Sequence, residues 1–306
     1  MSTTMNLAAG GLRLVAAASP ALGGRIALPL FFSTRPRMRV RADDEATYHA
    51  ARRDVIHVRV RAVHTYQWGT GTRAALLMHG WRGRASQFAT LVRDLVADGF
   101  RVHAFDAPAH GDSPGARTDA RDWIATAQTL ARDEGPFDLV VGHSFGAFAA
   151  LAAARDGVDA RRIVSIAGAG GVDAFHAQFA RTMGLSTAAQ AAFEAAFYRR
   201  LGMDRAEADA RFDSLAHPLP TATELLVIHD AGDRTLDADN SRALHAAHGE
   251  RSCLVLTKGL GHNRLLVADE VLDAVLAFAA GGVRAVDTAD ITVVGSSSGT
   301  ATGLRH

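Results

Sequence analysis

Leu139-Val140-Val141-Gly142-His143-Ser144-Phe145-Gly146-Ala147-Phe148-Ala149-Ala150 is an apolar run that reaches a glycine-flanked serine and continues as alanine-rich sequence. The run before Gly142 suits a buried strand and the residues after Ser144 suit a helix, so the chain turns sharply from strand to helix at Ser144. That is the context the pattern G-x-S-x-G requires: the serine is held in a strained backbone conformation with its hydroxyl exposed. Side chains at Gly142 or Gly146 would collide with the strand and helix of so tight a turn. Alone the pattern is weak, and its flanks give it meaning.

Outward from Ser144, short apolar runs alternate with helical patterns. Ala74 to Met78 reads as a central strand ending at His79-Gly80-Trp81, and Phe100 to Phe105 as a second ending in the loop Asp106 to Ser113. A helix is expected from Thr118 to Arg132, a strand from Phe137 to Val141, and another over Ile163 to Ala167. Alternation resumes with the strand Leu225 to Ile228, a helix over Asp239 to Ala247, the strand Cys253 to Leu256 and a helix from Arg264 to Ala279. Near the start, Met38 to Ala42 and Val55 to Val63 alternate in strand fashion and predict an opening antiparallel pair. These elements predict an α/β fold: a mostly parallel, doubly wound sheet of about eight strands with helices on both faces. Residues 172–220 break the rhythm with helical sequence carrying Phe175, Phe179, Phe193, Phe197 and Tyr198, which predicts a small helical cap.

Ligands of such sheets bind at the carboxyl ends of the strands. His79, Asp106, Ser144, Asp233 and His262 all fall there. A serine nucleophile needs a base within hydrogen-bond reach and a group that fixes the base. His262, in Gly259-Leu260-Gly261-His262-Asn263, is the expected base. Asp233 is the expected acid and Asp230 its alternative, with Asp230 read as a brace of the turn. The N–H groups of Phe145 and Trp81 are the expected oxyanion donors, each typically worth ~3 kcal/mol in a transition state. His79 and His110 are read as loop braces.

In this order, Ser then Asp then His, the landmarks resemble those of serine hydrolases of the α/β-hydrolase fold, of carboxylesterase and lipase type, over roughly residues 55–280. The resemblance implies a lid inserted after the sixth strand, where residues 172–220 fall. It also implies cleavage of a carboxylic ester through an acyl-enzyme on Ser144, with no metal or organic cofactor. Similar enzymes often have glycine where this chain has Ala109. A thioesterase or a carbon–carbon bond hydrolase would use the same residues, and a non-catalytic binding protein of the same fold is the alternative from another class.

A chain of 306 residues with 48% hydrophobic residues supports one large α/β body over residues 38–280. With 33 basic and 32 acidic residues no global field points to nucleic acid. Cys253 is the single cysteine, read as a buried inert thiol, and no Cys/His cluster has zinc spacing. Residues 1–37 are expected to form an amphipathic helical segment, interrupted by Arg13, Pro20, Arg25 and Pro29, that neither spans a bilayer nor has the pattern of a secretory signal. The expected location is the cytoplasm, with peripheral membrane contact through that segment as the alternative. Residues 281–306 are expected to be disordered. Arg82, Arg84 and Arg234 fall near the expected site and are candidates to attract an anionic substrate. The expected partner is a small ester with an apolar acyl or aryl group; oligomeric state is not readable.

Overall fold

The computed structural model describes residues 3–286. Two helices, α1 (Thr3–Ala18) and α2 (Pro20–Phe31), precede a short α3 (Glu45–His49). The hairpin β1 (Arg52–Val58) and β2 (Arg61–Trp68) follows, then β3 (Arg73–Met78), α4 (Ala89–Ala97), β4 (Phe100–Asp106), α5 (Ala120–Glu134), β5 (Leu139–His143), α6 (Phe145–Arg155) and β6 (Arg162–Ile166). Three helices interrupt the alternation: α7 (Asp173–Met183), α8 (Thr187–Leu201) and α9 (Arg205–Phe212). β7 (Glu224–Asp230), α10 (Asp239–His248), β8 (Ser252–Thr257), α11 (Gly261–Arg264) and α12 (Asp269–Gly281) complete the chain.

The eight strands form one sheet in the order β1-β2-β4-β3-β5-β6-β7-β8. β2 runs antiparallel to β1 and β4, and every pair from β4 through β8 is parallel. Successive side chains of a strand point to opposite faces, and two cores result. Leu76, Met78 and Val140 pack with Trp123 of α5 and Phe148 of α6. Ala75, Leu77 and Val141 pack on the other face with Leu91 of α4 and Val275 of α12.

Three expectations at the margins need correction. Residues 38–41 form no strand; the antiparallel pair is β1 with β2, and the alternation through Val63 ran across a turn. That turn is Arg59-Val60, with φ of 48° and 60°, the sign a type I′ hairpin requires at both central residues. Val60 is fully exposed and β-branched, so nothing offsets its left-handed backbone. Val60→Gly is therefore expected to stabilise the protein by about 1 kcal/mol, read as a higher Tm. The last helix is also broken, with α11 and a 3-10 turn at Leu265–Val267 preceding α12. Finally, residues 281–286 belong to the body: the Val283 N–H donates to Glu224 and Val286 is buried. The rest of the expected tail, 287–306, lies outside the described residues.

The N-terminal helices pack on the inserted helices, α2 on α8 and α1 on α7. A Cβ on Gly24 would lie 2.5 Å from the Phe193 backbone nitrogen, so α2 approaches α8 as closely as glycine allows. Phe31, at the end of α2, makes edge-on contacts with Phe32, His176, Phe179, Phe193 and Phe197. Among the described residues no helix is long and apolar enough to cross a membrane.

Candidate active site

β5 delivers Ser144 at φ 55°, ψ −120°, a conformation a side-chain-bearing residue rarely adopts. Its N–H is held by the Ile166 carbonyl at 2.8 Å. A Cβ on Gly146 would stand 2.0 Å from the Met78 carbonyl oxygen, which is why α6 can leave the turn directly against β3. Packing on both sides over-determines the strained serine.

β8 is followed by the loop that brings His262 to the first turn of α11, and the Asp233 turn follows β7. The Ser144 hydroxyl lies 2.9 Å from His262 Nε2, and His262 Nδ1 lies 2.7 Å from Asp233 Oδ2. Nδ1 therefore carries the hydrogen that Asp233 accepts, leaving the Nε2 lone pair toward Ser144. The Asp233 side chain is fully buried and that of His262 nearly so, at 11% exposure. Burial alone would raise the Asp233 pKa, but hydrogen bonds from His229, His262 and the Thr235 N–H hold it well below the usual carboxylate range. An anion is thus fixed beneath the imidazole.

Asp230 occupies a different place. Burial would raise it, yet the N–H groups of Leu260 and Gly232 and the Thr257 hydroxyl donate to it and keep it low. It ties β7 and β8 to the loop carrying His262, and none of its hydrogen bonds goes to that ring.

Two buried histidines in the site carry no expectation from sequence. His229 accepts the Ser241 hydroxyl at Nδ1 (2.6 Å), so its Nε2–H faces Leu236 O at 3.1 Å and Asp233 Oδ2 at 3.2 Å. It thereby orients Asp233. His143 takes the Gln87 amide at Nδ1 and donates from Nε2 to the His262 carbonyl at 2.9 Å, anchoring the backbone of the expected base. Burial, then the neighbouring His262, lowers the His143 pKa to about 3, so it stays neutral in this role.

The Gly80 backbone presses on the serine turn: a Cβ there would lie 3.0 Å from Ser144 Cβ. The next residue is Trp81, and neither its N–H nor that of Phe145 has an acceptor among the described residues. Both are free for a developing oxyanion, with the N-terminus of α6 adding its partial positive charge. His79 fixes the Trp81 loop, donating from Nδ1 to Gly80 O (2.8 Å) and accepting the Ala107 N–H at Nε2 (3.0 Å). Burial lowers its pKa to about 4.

Of the five strand-end residues, Asp106 stands outside this arrangement. It accepts from Ala85 N–H and the Tyr66 hydroxyl and lies 3.6 Å from Arg84, a buried network that fixes the loop after β4. Arg84 also pairs with Asp112 at 3.1 Å, so it is not free for an anion. Arg234 is exposed and lies off the cavity. Ala109, in the same loop, adopts φ 67°, a region glycine enters freely and alanine at about 1 kcal/mol cost. Cys253 is buried, and burial raises its pKa to about 11.

Ser144 and His262 open on a cavity of about 920 Å3. The body contributes Trp81, Phe145 and Phe148, the inserted helices Phe175, Met183 and Phe197, and the end of α2 with the residue after it contributes Leu30, Phe31 and Phe32. The Trp81 ring stacks on Trp123 at 5.6 Å and donates to the Ser33 carbonyl, so it packs and lines at once. Among the described residues no group of three or more His, Cys, Asp or Glu is placed to hold a metal ion.

Residues 75–275 match the sequence profile described as the Alpha/beta hydrolase family. No curated protein sequence matches the chain. Among solved structures, the chain is similar to the esterase Pf2001 from Pyrococcus furiosus, at 16% identity and TM-score 0.56, over 76% of this chain and 89% of that one. It is similar to the esterase RhEst1 from Rhodococcus sp. ECU1013, at 17% identity and TM-score 0.55, over 76% and 99%. The likeness to a membrane phospholipase A described as a bacterial virulence factor reaches over 91% of this chain and 96% of that one, at 18% identity and TM-score 0.58. At these identities the likeness is one of fold.

Proposed function

The chain belongs to the alpha/beta hydrolase family, and on that premise we propose that it is a serine hydrolase that cleaves carboxylic esters. One observation carries the reading: a continuous hydrogen-bonded line from Ser144 Oγ through His262 to the buried Asp233 carboxylate, opening on a large cavity with mostly apolar walls.

Ser144 Oγ attacks the ester carbonyl carbon while its proton passes to His262 Nε2. The carbonyl electron pair moves to the oxygen, held by the Phe145 and Trp81 N–H groups, and Asp233 stabilises the imidazolium. Collapse breaks the bond to the leaving alkoxide, which takes the proton from His262 and departs as the alcohol. Water then gives a proton to His262 as it attacks the acyl-enzyme, and the acid is released with Ser144 regenerated. The aromatic and aliphatic lining supports an apolar acyl or aryl group as the part held in the cavity.

A fluorophosphonate probe tests the assignment, since it reacts only with an activated serine. The wild-type protein is expected to be labelled and Ser144→Ala not at all. Failure of wild type to react, or equal labelling of the variant, would remove the hydrolase reading.

A further inference from the structure

The cavity is apolar at the walls supplied by the inserted helices and cationic where residues 33–41 run past it. Arg37, Arg41, Arg82 and Arg121 all line it, against one carboxylate, Asp119. Asp119 is committed: Arg121 grips it through Nε and Nη2, both at 2.9 Å. Arg41 is paired with Asp44 at 2.6 Å. Arg37 and Arg82 have no acidic partner among the described residues.

Arg82 is the more exacting case. It is half-buried, and only its Nε is occupied, donating to the Ser33 carbonyl at 3.1 Å. Both terminal amino groups are without a partner among the described residues. Burial lowers its pKa with no carboxylate to oppose the shift. A partly desolvated cation without a counter-ion is an unfavourable arrangement. Arg37 is tethered through its own terminal amino groups to the Gly111 and Gly115 carbonyls, which fixes its charge nearby without cancelling it. After burial and His79, the charges of Arg37 and Arg82 help to hold His110 neutral, so both cations act on the same region. The field extends along the chain: the first 42 residues carry six arginines and no acidic residue.

We propose that Arg82, supported by Arg37, binds a phosphate on the leaving part of the substrate, so that the enzyme acts on phosphate-bearing acyl esters whose acyl chain occupies the aromatic cavity. The inference rests on the serine-hydrolase reading for its chemistry but not for its binding. A guanidinium presents two parallel donors that match a phosphate, and residue 82 follows directly on the Trp81 oxyanion donor. A phosphate held there sits on the leaving-group side of the carbonyl while the acyl chain runs toward Phe31 and Phe197. Glycerophospholipids and acyl thioesters of phosphopantetheine carriers share this chemistry.

Binding is measured by calorimetry with octyl phosphate and 1-octanol on Ser144→Ala protein, where no turnover interferes. Octyl phosphate is expected to bind about tenfold more tightly than octanol, a preference lost in Ser144→Ala/Arg82→Gln and partly kept in Ser144→Ala/Arg82→Lys. Equal affinities, or a preference that survives Arg82→Gln, would overturn the proposal. Should the Gln variant not fold, salt decides: octyl phosphate affinity must fall as ionic strength rises while octanol affinity holds, and a salt-independent preference overturns the site. Turnover by the wild type then identifies the source of the phosphate. Octanoyl glycerophosphate is compared with monooctanoyl glycerol, and octanoyl-coenzyme A with the octanoyl thioester of N-acetylcysteamine. Preference for the phosphate member in the first pair indicates a lipid, in the second a carrier thioester, and in neither refutes the substrate class. A binding preference without turnover of any ester would keep the anion site and remove the hydrolase reading.

Discussion

Asp233→Asn is expected to lower kcat by about a thousandfold or more while the fold survives. The reason lies in what the two oxygens accept. Oδ2 takes His262 Nδ1–H and the Nε2–H of His229; Oδ1 takes the Thr235 N–H. An asparagine must turn its NH2 toward one of these sets, and only the imidazoles can change tautomer to accept it. His262 would then carry its hydrogen on Nε2, facing Ser144, and could not take the serine proton. Asp230→Asn meets a different environment, the Gly232 and Leu260 N–H groups and the Thr257 hydroxyl. It is expected to cost about 1–3 kcal/mol of stability with kcat changed less than about tenfold. Turnover of a p-nitrophenyl ester beside urea unfolding of both variants checks the pair, and the reverse pattern would move the acid to Asp230.

A steep loss of stability on acidification is the second large effect. His79 and His176 have pKa values lowered by burial to about 4, and His110 and His143 to about 3, from an ordinary 6.5. Each depressed imidazole binds its proton more readily in the unfolded chain. Its contribution is therefore complete above pH 6.5 and declines as pH falls toward the folded value. By pH 5 each such group has lost about 2 kcal/mol. Four together rival the 5–15 kcal/mol of a typical domain, so Tm is expected to collapse between about pH 6 and 4.5. His176 offers the control, because it is buried among Phe31, Phe193 and Phe197 with both ring nitrogens unpartnered. His176→Phe should flatten the decline by about 2 kcal/mol at pH 5; an unchanged slope would mean other groups govern acid unfolding.

The parts of the site legible in the sequence were those that follow an apolar run. Ser144 and Asp233 follow the interior strands β5 and β7 and His262 follows the edge strand β8, each strand marked by an apolar run, so chain order alone brought them to one end of the sheet. Asp230 against Asp233 was a question of turn geometry, and Gly232 gave the signal. The supporting histidines were illegible because a buried imidazole bracing a loop leaves the same trace as one packed in a core. His229 stands at the end of β7 and His143 between the glycine and the serine of the turn, and those positions are the signals available. Arg82 and Arg84 were equivalent on paper. Only folding brings Asp106 and Asp112 against Arg84 and leaves Arg82 unpaired. The opening strand pair departs from the sequence pattern at two places: residues 38–41 form no strand, and at Arg59-Val60 a valine occupies a backbone conformation that turn chemistry ordinarily gives to glycine or asparagine.

Phe31 belongs to a helix that lies wholly outside residues 75–275, the region the family shares. Part of the wall of the cavity on which Ser144 opens thus comes from outside the shared region, while the rest of the wall and Ser144, His262 and Asp233 lie within it. Selection acting on residues 20–32 can reshape what fits that part of the cavity without touching Ser144, His262 or Asp233. For an engineer the same division makes that helix an exchangeable part, a place to graft new selectivity onto a hydrolytic centre left as it stands.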